Sequence, residues 1–313
     1  MYLISPGDRL CRPNFNSLIQ LVTAIPDEQA AIDHFAAIRW KNGAFCPYCG
    51  SVKVYHFSDA KTHKCGDCSQ RFSIKVGTIF EGTKVPMRKW LMAIWLITSH
   101  KKGVASTQLA KDIQVTQKTA WFMLHRLREA ARTKSFNTPL SGVVEADETF
   151  VGGKEKNKHA SKRTGKAQGG AGKAVVMGMI ERGGDVRAFH LKHGVAGYIP
   201  FMVSHHVAKG STLMTDEANA YNGLGGDYAH HAVNHSAGEY VRAEVHTNSI
   251  EGVWSLLKRQ IYGIHHFVSP KHLDRYVGEM TWRYNRREMG EGSRLNALIA
   301  GSDGRLKYEA LIQ

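Results

Sequence analysis

The sequence predicts an α/β domain in its second half, preceded by a small cysteine-containing ribbon and a helical segment. Three observations carry this prediction. Four cysteines fall in two Cys-x-x-Cys pairs in the first quarter of the chain. Helical periodicity dominates residues 86–132. From residue 143 onward, short apolar strands alternate with amphipathic helices. The 313 residues are enough for two or more domains.

Residues 27–41, DEQAAIDHFAAIRWK, follow Pro26 and precede Gly43, as an amphipathic helix does; they give a helical segment over 1–43. The ribbon spans 44–80. Cys46 and Cys49 lie in FCPYCGS, Cys65 and Cys68 in KCGDCSQRF, with two residues inside each pair and fifteen between the pairs. Four thiolates at this spacing suit one tetrahedral Zn²⁺ and leave no open position on it, so the expected ion is structural. Disulfides fit poorly, because the N-terminus lacks the charged-then-apolar pattern of a signal peptide and the expected location is cytoplasmic. Cys11 reads as an ordinary thiol. No run of eighteen apolar residues occurs, so no membrane span is expected, and with no basic amphipathic helix bearing an aromatic face no membrane partner is expected either.

Residues 81–135 read as helices. PMRKWLMAIWLITSH (86–100) has Pro86 in its first turn. STQLAKDIQVTQKTAWFMLHRLREAAR (106–132) parses as two helices around a tight turn at Gln114 and Val115, with Ser106 and Thr116 as N-caps. Ala120, Leu124 and Leu127 keep the buried spacing. Gln117, Lys118, His125 and Arg128 project elsewhere, where a helix-turn-helix-like unit meets DNA; a packed helix pair of an ordinary core is the plain alternative. The net charge of +15 favours a polyanionic partner, nucleic acid above all, over a merely solvated basic surface.

After a linker, the α/β region runs from 143 to 292. GVVEADETFVGG reads as a strand, and AVVMGMIERGGDVRAFHLKH as two strands joined at Gly183–Gly184. YIPFMVSHHV is a helix, STLMTD a strand, EANAYNGLGG a short helix and HHAVNHS a strand. Two amphipathic helices follow, in HTNSIEGVWSLLKR and HLDRYVGEMTWRYNRRE, and residues 293–313 remain as a C-terminal tail. Residues 152–173 hold seven Lys or Arg against one Glu and read as a flexible basic loop, with Lys162, Arg163 and Lys166 placed to meet a DNA backbone.

Three carboxylates stand out by position: Asp147 in the first strand, Asp216 at the end of a later strand, and Glu251 on a helix. Strand alternation turns Glu145, Asp147 and Thr149 one way and Glu148 the other. An Asp in mid-strand among apolar neighbours needs a cationic partner. Converging acids repel one another unless divalent cations lie between them. Two Mg²⁺ or Mn²⁺ ions about 3.5–4 Å apart can clamp a phosphodiester, and both prefer oxygen ligands. Lys258 follows Glu251 by seven residues, about 20° away round a helix, where it can hold a phosphate beside the ions.

The order of ribbon, helical segment, Asp-strand, Asp-strand-end and Glu-helix resembles bacterial insertion-sequence transposases of the DDE class. VEADETFVGG, LMTDEANAY, VHTNSIEGVWSLLKRQIYGIHHFVSPKHLDRY and WRYNRR resemble the group with an N-terminal zinc ribbon. The resemblance implies an RNase H-like catalytic domain, a mixed sheet flanked by helices. It also implies divalent-metal-dependent cutting at element ends, joining to target DNA, and a homo-oligomer on DNA. Asp147 and Asp216 match the first two metal ligands and Glu251 the third. Some members of the group use Asn at the third position. Asn248 lies one turn before Glu251, about 60° round the helix, and is the alternative ligand or the helix cap. Two other functions share these features: a DNA-binding regulator with an inactive domain, and a metal-dependent nuclease that cuts without joining.

Overall fold

The structure is a computed structural model. It describes residues 15–312 except 60, 133–137, 154–156, 158, 164–169, 171, 193–196, 217, 222 and 234–243. The chain forms two compact units. One comprises Met1–Ala131 with Glu288–Gln313, the other Arg132–Arg287.

In the first unit, α1 (Leu18–Ala24) and α2 (Glu28–Arg39) are capped by Ser17 and Asp27, whose side chains accept from the amides of Gln20 and Ala30. The ribbon is a three-stranded antiparallel sheet of β1 (Val54–His56), β2 (Thr62–Cys65) and β3 (Arg71–Ser73). Helices α3 (Met87–Ser99), α4 (Ser106–Asp112) and α5 (Gln117–Ala131) follow. The α4–α5 turn places Gln114 at φ 53. The Thr116 hydroxyl accepts from the Thr119 amide, as an N-cap does, but Ser106 is the first helical residue and Ala105 occupies the cap. The last residues are not a tail. They form α9 (Glu291–Ala300), which packs on α2, α3 and α5, and the short α10 (Glu309–Ile312). The Gly292 amide donates to Phe15 O, and the Ile79 amide to Ser302 O.

The second unit is a five-stranded mixed sheet in the order β6-β5-β4-β7-β8. β4 (Val143–Val151), β5 (Ala174–Glu181) and β6 (Val186–Leu191) are antiparallel neighbours, and Gly183 takes φ 74 in the β5–β6 turn. β7 (Thr212–Thr215) and β8 (Ala229–Ala232) run parallel to β4. Alternation along β5 divides the core in two. Val176 and Ile180 pack with Ile250, Val253 and Leu257 of α7 (Asn248–Gln260) and with Leu273 and Val277 of α8 (Pro270–Asn285). Met177 and Met179 pack on the opposite face with Ile199 and Val203 of α6 (Ile199–His206). EANAYNGLGG forms two single 3₁₀ turns, Asn219–Tyr221 and Leu224–Gly226, rather than a helix. Its three glycines leave too short a run for α-helical propagation.

Candidate active site

β4 is nine residues long and β7 four, and they pair only over Val143–Glu145 and Thr212–Met214. Beyond Glu145, a cleft of about 400 Å³ opens where β7 ends. Its walls carry Asp147 and Glu148 from β4, Asp216 just past β7, and Glu251, Trp254 and Lys258 from α7. The three carboxylates singled out in the sequence thus share one cleft, with Lys258 beside them.

The cleft is electrostatically strained. Burial pushes the Asp147 carboxyl up to about 6, and Asp216 and Glu251 add repulsion against the pull of the Glu148 amide and the Trp254 indole. Burial likewise pushes Glu148 up to about 7; the Tyr221 hydroxyl, donating to its Oε1 at 2.6 Å, opposes this, while Asp147 and Asp216 reinforce it. The Trp254 Nε1–H donates to Asp147 Oδ2 at 2.8 Å. The Thr247 hydroxyl donates to Glu251 Oε1 at 3.1 Å.

A fourth acid seats the helix. Glu145 is fully buried, and its Oε2 accepts from the amides of Ser249 at 2.8 Å and Ile250 at 3.0 Å. Its Oε1 accepts from Arg182 Nε at 2.7 Å and the Ser249 hydroxyl at 3.0 Å. Arg182 also donates to Glu244 O and His246 O, tying down the approach to α7. Glu145 therefore satisfies the first amides of the helix that bears Glu251, and its charge complements the positive end of that helix. Asn248 does not cap α7: it is the first helical residue, exposed, and Thr247 precedes it without a side-chain cap bond. Nor does Asn248 line the cleft.

Comparison with known proteins bears on what such a cleft belongs to. Residues 139–285 match the family model of the ISXO2-like transposase domain, and residues 26–71 match the transposase zinc-ribbon domain. In both matches the chain is similar to transposases that carry a zinc ribbon. It is 29% identical over 264 residues to an uncharacterized protein in transposable element ISH50 of Halobacterium salinarum, covering 80% of this chain and 88% of that one. A solved structure, the simian T-cell lymphotropic virus intasome in complex with PP2A regulatory subunit B56 gamma, aligns at 14% identity with a TM-score of 0.26. That alignment covers 55% of this chain, which spans 63% of the other.

The four cysteine sulfurs all lie within 4.8 Å of one another. Cys46 and Cys68 are 3.6 Å apart, as are Cys49 and Cys65. Zn–S bonds of about 2.3 Å set tetrahedral sulfur–sulfur edges near 3.8 Å, so the donor set fits a structural zinc ion.

The residues expected to touch DNA divide. Gln117 and Lys118 are exposed at the start of α5; Gln117 donates to the Ser106 hydroxyl, and the Lys118 ammonium lies over the Tyr308 ring. Arg163 is exposed, whereas Lys166 and the Lys162 side chain lie outside the described residues. Arg128 does not face solvent. It is 1% exposed, and His125 is fully buried, because the second half of α5 is packed on more than one side. Sequence reasoning also missed Glu148. Alternation assigns it to the far face, but β4 outruns β7, and both faces of the strand reach the cleft there.

Proposed function

We propose that this chain catalyses transposition: divalent-metal-dependent cleavage at the ends of its element, then transfer of the freed 3′-hydroxyl into target DNA. The observation that carries the reading is the single cleft holding Asp147, Asp216 and Glu251 beside Lys258. The strand order, with three antiparallel strands followed by two parallel ones, supports an RNase H-like domain.

Asp147, Asp216 and Glu251 would hold two Mg²⁺ or Mn²⁺ ions, with Glu251 preferred to the exposed Asn248 because it lines the cleft and carries charge. Their oxygen donors, and the burial that raises Asp147 with repulsion from Asp216 and Glu251 added, suit a cation pair. Bound there, the ions supply an activated attacking oxygen and neutralise charge on the leaving oxygen. In the first step, a water oxygen bonds to phosphorus and the P–O3′ bond breaks, leaving a 3′-hydroxyl on the element end. In the second, that hydroxyl oxygen attacks a target phosphodiester in line, and a target 3′-oxygen departs with a proton. Lys258 holds a phosphate at the cleft. Gln117, Lys118 and the basic loop with Lys162, Arg163 and Lys166 contact DNA, on which the chain forms a homo-oligomer.

The test is strand transfer with a pre-cut element end, a plasmid target and Mg²⁺. Wild type is expected to join the end; Asp147→Asn and Glu251→Gln are expected to bind it and join nothing; Asn248→Ala is expected to retain joining. Cutting without joining in wild type points to a nuclease, and binding with neither reaction points to a regulator. Joining lost in Asn248→Ala and kept in Glu251→Gln makes the amide the third ligand.

A further inference from the structure

We infer that Trp254 is a positioning residue for Asp147, and that Gly178 exists to admit it. This rests on the reading of Asp147 as a metal ligand. Trp254 is 3% exposed and sits on the inner side of α7, in the cluster with Ile250 and Val253. Core packing alone would be met by any large apolar ring. The indole does more, because its Nε1–H donates to Asp147 Oδ2 at 2.8 Å. An indole nitrogen is a donor only and cannot itself ligate a cation, so Trp254 acts through the carboxylate. Each carboxylate oxygen has two lone pairs, so the bond can fix the side-chain rotamer while the group still binds a cation.

The sheet is shaped to allow this. Asp147 on β4 is directly opposite Gly178 on β5. A Cβ at Gly178 would lie 2.4 Å from Trp254 Cη2, 2.8 Å from its Cζ2 and 3.0 Å from Ile250 Cδ1. Any side chain there displaces the indole from the position in which it reaches Asp147. A glycine in a strand interior marks this kind of close approach. The pair register, the glycine and the indole bond together hold the first acid toward the cleft before any cation arrives. Partners of this kind, behind a metal ligand, typically contribute a 10–100-fold factor in metal affinity.

The experiment titrates Mn²⁺ calorimetrically into the full chain and records the melting temperature of each metal-free variant. Trp254→Phe keeps a ring and loses the donor. Site-specific replacement of Trp254 by 3-benzothienylalanine, with sulfur where indole has N–H, keeps the shape and decides the matter if Trp254→Phe fails to fold. Trp282→Phe, at a buried position on α8, is the packing control. The expected result is loss of Mn²⁺ binding in Asp147→Asn and about tenfold weaker binding without the Trp254 donor. Gly178→Ala should show similar weakening, and Trp282→Phe unchanged affinity whatever its melting temperature. Wild-type affinity in the benzothienyl protein, with Asp147→Asn still inactive in binding, overturns the inference and leaves the metal reading intact. Wild-type affinity in Asp147→Asn overturns the metal reading itself, and the inference with it.

Discussion

Glu145 offers the sharpest test of how the second unit holds its helix. Glu145→Ala removes a fully buried carboxylate that accepts from Arg182, from the Ser249 hydroxyl and from the amides of Ser249 and Ile250. Breaking a buried charged pair by deleting one partner costs about 3–5 kcal/mol. Arg182 keeps its bonds to Glu244 O and His246 O and is not left wholly unpaired, so the low end applies, about 3 kcal/mol. For a unit of this size each kcal/mol shifts the midpoint by about 2–4 °C, so the expected fall is about 6–12 °C. Glu145→Gln keeps an acceptor for the amides and loses the charge, and should fall roughly half as far. The assay is differential scanning calorimetry of the full chain, following the transition of residues 132–287. A fall below about 2 °C in Glu145→Ala, or one no larger than in Glu145→Gln, refutes the argument that this buried charge seats α7.

The remaining predictions concern metals and charge. Protein purified without chelators should contain one Zn²⁺ per chain and Cys65→Ser none, with loss of the metal removing about 10 kcal/mol from the ribbon; a metal-free wild type by elemental analysis would remove the structural-zinc reading. Asp147 and Glu148, pushed up to about 6 and about 7, bind protons more tightly folded than unfolded. Without metal, the stability linked to them is fully present below the unfolded value near 4 and is lost as pH rises through 6 to 7. Mg²⁺ should therefore raise the melting temperature strongly at pH 8 and little at pH 5, and an equal shift at both would contradict the assignment. Lys258→Ala should lower the slope of log affinity against log salt for DNA by about 1. Arg128→Ala should leave that slope alone and destabilise the first unit by about 3 kcal/mol, as a buried charged group does; a changed slope with normal stability would return Arg128 to the DNA surface.

Most of the fold was legible because its signals are local. The stripe Ile250, Val253 and Leu257 has helical period, and all three are fully buried. The glycine pair at 183–184 announces a hairpin, and the two cysteine pairs announce their own cluster. What escaped depends on distant chain. Arg128 looked exposed because α9 was read as a tail; with α9 packed on α5, and Gly301 against the Ala130 carbonyl, the second half of α5 lies inside. Asn248 looked like a cap because capping is normally local, whereas the group satisfying the first amides of α7 comes from Glu145, more than a hundred residues earlier. Glu148 looked outward because alternation says nothing of where a neighbouring strand stops.

The return of residues 288–313 to the first unit bears on synthesis. A ribosome making this chain finishes the whole of residues 132–287 before it supplies α9, which packs on α2, α3 and α5. The first unit to begin is thus the last to be completed. A message cut short after residue 287 would release a finished cleft attached to an unfinished partner, with the α9-facing sides of those helices bare. Such a fragment should be captured by chaperones or degraded before it can act on DNA.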